Sequence, residues 1–302
     1  MSNQKTAYFR FLKLTPCYSA CKNLTAMYKK TWNDCYASVC CINFINKSGI
    51  KSVTATGFKV GPYIISDDYS YKTHEFSEVE IFFTGVDGQT PTSRIVLPFQ
   101  AFRDSILNAS FEEPTGFSVI RGDYKEFASV PSLSLCNSAK YEIGQQTVML
   151  GFQFEHQNLS IKSGLISAIF HESGRKYIEV DSTLRYGFSG APLINIESGK
   201  VIGILGHRLE LLNKAYVNLM KIINDNLKML KEGEGKINIQ DIDPIQVLIA
   251  SQNQIKHMAK EFYKSADFRT GYALTINNVL RYFSEMALDM NISMKEISGP
   301  CK

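Results

Sequence analysis

Residues Ile178-Glu-Val-Asp-Ser-Thr-Leu-Arg-Tyr-Gly-Phe-Ser-Gly-Ala-Pro-Leu-Ile-Asn195, followed by Gly199-Lys-Val-Ile-Gly-Ile-Leu-Gly206, carry the most informative pattern in this 302-residue sequence. Within them Gly187-Phe-Ser-Gly-Ala-Pro192 has the form Gly-x-Ser-Gly-Gly/Ala-Pro. Glycines flanking a serine let the backbone turn sharply, so the N–H groups of Gly187 and Ser189 can converge beside the Ser189 hydroxyl. That reads as a nucleophile next to an oxyanion hole, although an ordinary turn draws on the same residue types.

Working outward, short β-type runs fill the sequence from about Ala37 to Arg208. They include Ser38 to Ile45, Val53 to Val60, Val79 to Thr84, Phe117 to Arg121, Thr147 to Phe152 and Leu159 to Phe170. Turn formers such as Gly61-Pro62, Asp87-Gly88 and Glu113-Pro114 separate them, a spacing that predicts a barrel or sandwich and disfavours a parallel α/β sheet. After Leu211 the period becomes helical. Leu219, Ile222, Ile223, Leu227 and Leu230 form one stripe, and Leu248, Ile255, Met258, Ala259 and Phe262 a second. Ile276, Val279, Leu280, Phe283, Met286, Ala287 and Met290 form a third. These stripes are expected to be core, in a small bundle or packed on the β region.

Lys plus Arg at 33 against Asp plus Glu at 29 leaves a charge of +4, which gives no electrostatic case for nucleic acid or an anionic membrane. No run approaches the length of a membrane span, and the first residues lack a signal-peptide pattern. The expectation is a soluble cytoplasmic protein. Seven cysteines, five of them at Cys17, Cys21, Cys35, Cys40 and Cys41, form no regular disulfide framework and are read as reduced. Their gaps suit paired zinc knuckles poorly, so buried thiols are expected, with no metal and no cofactor.

The ordered motifs resemble the chymotrypsin-like serine peptidases, most closely their HtrA/Deg-type branch. Asp181 stands eight residues before Ser189, and Ile161-Lys-Ser-Gly-Leu-Ile-Ser-Ala168 is similar to that branch's "T-x-G-I-V-S" strand pair. Ile143-Gly-Gln-Gln-Thr-Val-Met-Leu-Gly-Phe152 and Thr54-Ala-Thr-Gly-Phe-Lys-Val60 are similar to two more of its strands. The resemblance implies a mainly β fold of two Greek-key β-barrels of trypsin-like type, here with a C-terminal α-helical extension. The expected division is an N-terminal extension over 1–36, the double barrel over 37–212 and a helical region over 213–302. Barrel one would cover about 37–130 and barrel two about 131–210.

Two triad positions depart from the family. Its histidine ends a motif of the form Ile-Leu-Thr-x-x-His, where this chain reads Ile64-Ile-Ser-Asp-Asp-Tyr69, and its aspartate is replaced at Gly116-Phe-Ser-Val-Ile120. Tyrosine, with a pKa near 10, is a poor base for serine at neutral pH. The expected function is therefore a degenerate trypsin-like protein, a pseudo-peptidase that binds a protein or peptide partner in a regulatory role. The alternative is an active serine endopeptidase using Ser189 with a non-standard or partner-completed base. His74 is the candidate base, with Glu112 or Glu113 as carboxylate, and His207 is the second candidate. The resemblance places a peptide groove along Gly203 to His207, including Gly206, and floors the primary pocket at Thr183, which suits a small or apolar anchor. His156, His171 and His257 read as loop or surface residues. The C-terminal helices offer contacts for an oligomer.

Overall fold

The structure, a computed structural model, describes residues 16–68, 76–108, 116–137, 141–154, 157–172, 174–206, 210–236, 243–265, 268–290 and 298–299. Tyr69, His74, Glu112, Glu113, His156 and His207 lie outside the described residues.

Helix α1 (Pro16–Cys35) leads into β1 (Val39–Ile45), β2 (Lys51–Val60), β3 (Tyr63–Ser66), β4 (Glu78–Thr84) and β5 (Pro91–Pro98). A short α2 (Phe99–Asp104) and β6 (Ser118–Arg121) complete a six-stranded sheet of order β5-β4-β1-β2-β3-β6. β1 is buried on both faces because one side fills the sheet's own interior and the other meets the second half of the molecule. Cys40, Ile42, Phe44, Ile64, Ile81, Phe83 and Phe102 form the interior of this first barrel.

The second half contains β7 (Leu135–Cys136), β8 (Gln146–Phe152), β9 (Leu159–Glu172), β10 (Arg175–Leu184), β11 (Pro192–Asn195) and β12 (Val201–Gly206). Then come α3 (Glu210–Gly233), α4 (Pro244–Ser265), β13 (Phe268–Thr275), α5 (Asn277–Met290) and β14 (Ser298–Gly299). The order β11-β8-β9-β10-β13-β12, closed by the β11–β12 pairing, makes a ring of six strands, with β7 and β14 added beside β12. The expected mainly β fold with C-terminal helices is therefore present.

The helical region expected over 213–302 also contains β13, which is the sixth stave of this ring. It pairs with β10 from Tyr177↔Leu274 to Leu184↔Phe268 and with β12 from Gly203↔Thr275 to Gly206↔Tyr272. Gly271 fits because a Cβ there would stand 2.6 Å from Leu184 Cδ1. An eight-residue strand between two helices leaves little periodic signal, which is why sequence reading passes over it. Since β12 and β13 are antiparallel neighbours, the pair α3–α4 is an insertion into what would otherwise be a hairpin loop.

Between the barrels lies another cluster, with Phe58, Ile65 and Val119 from the first and Leu150, Phe152 and Ile204 from the second. α1 lays Leu24, Met27 and Trp32 against it, and the Trp32 Nε1–H donates to Val86 O at 3.1 Å. α5 buries Val279 and Phe283 there, with the Phe283 ring 5.4 Å from that of Tyr63. The helices α3 and α4 behave differently. Only Ile223 and Leu227 of their expected core stripes are buried, while Leu219, Ile222, Leu248, Ile255, Met258 and Phe262 are exposed. Each helix buries a single face against the other, so the remaining apolar positions stay in solvent.

Cys35, Cys40 and Cys41 are free and buried. Cys136 is disulfide-bonded to a cysteine beyond the described side chains, which corrects the reading of every thiol as reduced. Sequence spacing cannot reveal that pairing. Among the described residues no helix is long and apolar enough to cross a membrane. Nor do any three His, Cys, Asp or Glu of the described residues cluster as metal ligands.

Candidate functional site

The turn between β10 and β11 carries Ser189 at the seam of the two barrels. Gly187 has φ +108° and Gly190 φ +85°, both in the region that favours glycine. Space demands glycine as well: a Cβ at Gly187 would stand 2.5 Å from Phe152 O, and one at Gly190 2.1 Å from Thr56 O.

Thr56, a fully buried residue of β2, fastens this turn to the first barrel. Its N–H donates to Ser189 O at 2.8 Å, and its Oγ1 donates to Gly187 O at 2.7 Å while accepting from Phe152 N at 3.0 Å. From the second barrel, Leu205 O accepts the Gly190 N–H at 2.7 Å and Phe154 N donates to Tyr186 O at 3.0 Å. Within the described residues, neither the Gly187 N–H nor the Ser189 N–H has a protein acceptor.

The Ser189 hydroxyl has a definite partner, donating to Asp67 Oδ2 at 2.9 Å. Asp67 and Asp68 follow β3 directly, and each is only 2% exposed. Ser118 Oγ from β6 donates to Asp67 O at 2.9 Å, and Ser66 Oγ to Thr56 O at 2.7 Å, so the acidic pair is held from three strands. Asp68 Oδ2 accepts the Gly116 N–H at 3.0 Å. The structure therefore brings Gly116 and Ser189 onto adjacent carboxylates.

Both aspartates escaped the sequence reading as site residues, although they stand inside the Ile64 to Tyr69 motif. The available signal was an acidic doublet directly after a buried strand, where ionised side chains need committed partners.

Of the other expected site residues, Thr183 is exposed at the end of β10, and its carbonyl accepts from Lys162 Nζ. The same Nζ lies 5.1 Å from the centroid of the Phe188 ring. Gly203 is not in a groove, which corrects that expectation. One edge of β12 pairs with β13, while the other pairs Gly203↔Leu193 and Ile204↔Pro192 and donates Leu205 N to Ala191 O at 2.8 Å. A peptide finds no free strand edge there, and Gly206 is itself paired with Tyr272. His171 sits at the β9–β10 turn opposite Lys176, and His257 on α4.

A six-stranded sheet and a closed six-stranded ring, meeting at a serine turn, make the mainly β double barrel that the sequence motifs predict. Residues 98–204 match the family described as trypsin-like peptidase domain. Serine protease HTRA4 of Homo sapiens is 34% identical over 85 residues, covering 26% of this chain and 17% of that protein. Mitochondrial serine protease HTRA2 of Bos taurus is 34% identical over 119 residues, 37% of this chain and 25% of that protein. The chain thus spans a quarter or less of these relatives. Among solved structures, Deg5 aligns with a TM-score of 0.48 and 16% identity over 61% of this chain and 86% of its own. The HtrA-type protease AlgW with a tripeptide aligns with a TM-score of 0.46 and 17% identity, over 59% of this chain and 53% of its own.

Proposed function

We propose that this chain is a degenerate trypsin-like protein, a pseudo-peptidase whose cleft binds an extended segment of a protein partner. The observation that carries this reading is the bond from Ser189 Oγ to Asp67 Oδ2. Serine attack needs a base that takes the hydroxyl proton, and imidazole suits that task near neutral pH. An ordinary carboxylate is a weaker base than imidazole by about 2.6 pKa units, or roughly 3.5 kcal/mol of driving force for the transfer. With a carboxylate as acceptor, the hydroxyl is held in place without being activated. Lys162 near Thr183 favours a partner whose anchor is not basic. The disulfide at Cys136 counts against a reducing compartment, and so against the cytoplasmic location expected from the sequence.

A second reading is favoured by one observation. The Gly187 and Ser189 N–H groups have no acceptor among the described residues, as an oxyanion hole requires. On this reading Ser189 is the nucleophile of an endopeptidase whose base is His74 or comes from a partner. A fluorophosphonate probe separates the two. The pseudo-peptidase shows the same labelling as Ser189→Ala, whereas labelling lost in that variant, together with cleavage of an unfolded protein substrate, establishes the peptidase.

A further inference from the structure

We infer that the inserted helices α3 and α4 form the interface of a homodimer, in which two such hairpins pack as a four-helix bundle. The hairpin is antiparallel: the Tyr216 ring stacks on Tyr263 at 4.2 Å, Asn224 Oδ1 accepts from Lys256 Nζ at 2.7 Å, and Gly233 lies against Ile245. Ile223 and Leu227 mark the face of α3 turned to α4, while Ile245 and Tyr263 mark the facing side of α4.

Each helix carries a second apolar stripe. At 3.6 residues per turn, Leu219, Ile222 and Met229 lie about 100° round α3 from its inner face. Leu248, Ile255 and Phe262 lie about 100° round α4, in the same rotational sense along the chain. Because the helices run in opposite directions, equal rotations bring both stripes to the same side of the hairpin. Nine of the fifteen exposed large apolar side chains of the described residues belong to these two helices. Phe262 is 70% exposed and Met229 63%. The polar positions within the face are the uncharged Asn226 and Ser251.

Area and shape point to a second copy as the occupant. Six to eight such side chains, each exposing roughly 100 Å², offer about 700 Å² per chain, close to the ~800 Å² each partner gives to a stable interface. The two helices have 24 and 22 residues, so one hairpin presents a charge-free face as long as that of its copy. Two antiparallel hairpins joined on such faces make an ordinary four-helix bundle. This inference is independent of the state of Ser189.

Sedimentation velocity on the full chain, from about 0.1 to about 50 µM, tests it. The wild type is expected as a dimer by the low micromolar range. Ile222→Glu with Phe262→Glu should raise the dissociation constant at least about 100-fold while the circular dichroism and thermal midpoint stay unchanged, since both positions are in solvent. Val96→Glu, at an exposed apolar position on β5, should leave the dimer intact. A wild type that stays monomeric throughout overturns the inference, as does a dimer indifferent to the double substitution. Monomers that instead bind anionic phospholipid vesicles through this face also overturn it.

Discussion

Ser189 Oγ and Asp67 Oδ2 stand 2.9 Å apart, a hydroxyl from the second barrel donating to a buried carboxylate of the first. This contact couples the serine to the stability of the fold. Replacing Ser189 by alanine removes a donor from a buried carboxyl group, at a cost of about 1–3 kcal/mol. The expected outcome is a loss of that size for Ser189→Ala in urea unfolding, larger than for Ser132→Ala on the exposed linker between the barrels. An unchanged midpoint would mean that the carboxylate does not depend on the serine.

Much of this arrangement is legible in the sequence, and the reasons differ from element to element. Gly187 to Pro192 announces its turn because two left-handed, crowded positions admit glycine and little else. The strands with two buried faces stand out as apolar runs between turn residues. Asp67 and Asp68 were not legible as site residues, because what sets them apart is burial, and the sequence shows only two acids ahead of a tyrosine. β13 was hidden by its neighbours: its pairing partners β10 and β12 are remote in the chain. The stripes of α3 and α4 were visible but misassigned, since periodicity reveals an apolar face and says nothing of what covers it.

Thr56 positions the serine turn through one side-chain oxygen that serves both barrels. Thr56→Val keeps the shape and deletes the hydroxyl, leaving Gly187 O and Phe152 N without their partner. A loss of about 1–3 kcal/mol is expected, together with faster amide exchange at Phe152 and Gly190, whose N–H groups are hydrogen-bonded here. Thr56→Ser should restore most of both, and a valine variant with unaltered exchange would show that the clamp is dispensable.

Restoring the family's carboxylate at Gly116 should fail. The residue has φ +85°, and a Cβ there would come within 3.1 Å of Leu274 Cδ2. Gly116→Asp is expected to lose about 1–2 kcal/mol from the left-handed backbone alone, and to add a third acid beside Asp67 and Asp68. No gain in fluorophosphonate labelling should accompany it. A stable variant with new labelling would mean that this turn relaxes into an active arrangement.

Burial pushes the Cys35 thiol up to about 12 and raises those of Cys40 and Cys41 as well. Reaction requires the thiolate, so these three sulfurs should resist Ellman's reagent at about pH 8 in the native protein. They should react at once in guanidinium. Native modification at any of them, located by mass spectrometry, would show that the core around that residue opens.

Lys59 makes the last prediction, because its side chain is buried on the first barrel and ties down the segment leading to the second. Nζ donates to Phe127 O at 2.9 Å and Val130 O at 2.7 Å, and the Lys59 carbonyl accepts the Leu133 N–H at 2.8 Å. Lys59→Met preserves the length of the stem but strips two carbonyls of their donor, at an expected cost of about 2 kcal/mol near neutral pH. Desolvation holds the folded Lys59 pKa below the ordinary 10.5. Between those two values the unfolded chain carries the extra proton, so this residue's contribution to stability grows as pH rises through the interval and is lost as pH falls through the folded value. The neutral amine still donates to both carbonyls. The gap between wild type and Lys59→Met in urea midpoint should therefore widen from about pH 7 toward pH 10.5. A gap that narrows over that range would mean that the ammonium is better solvated in the fold than its burial implies.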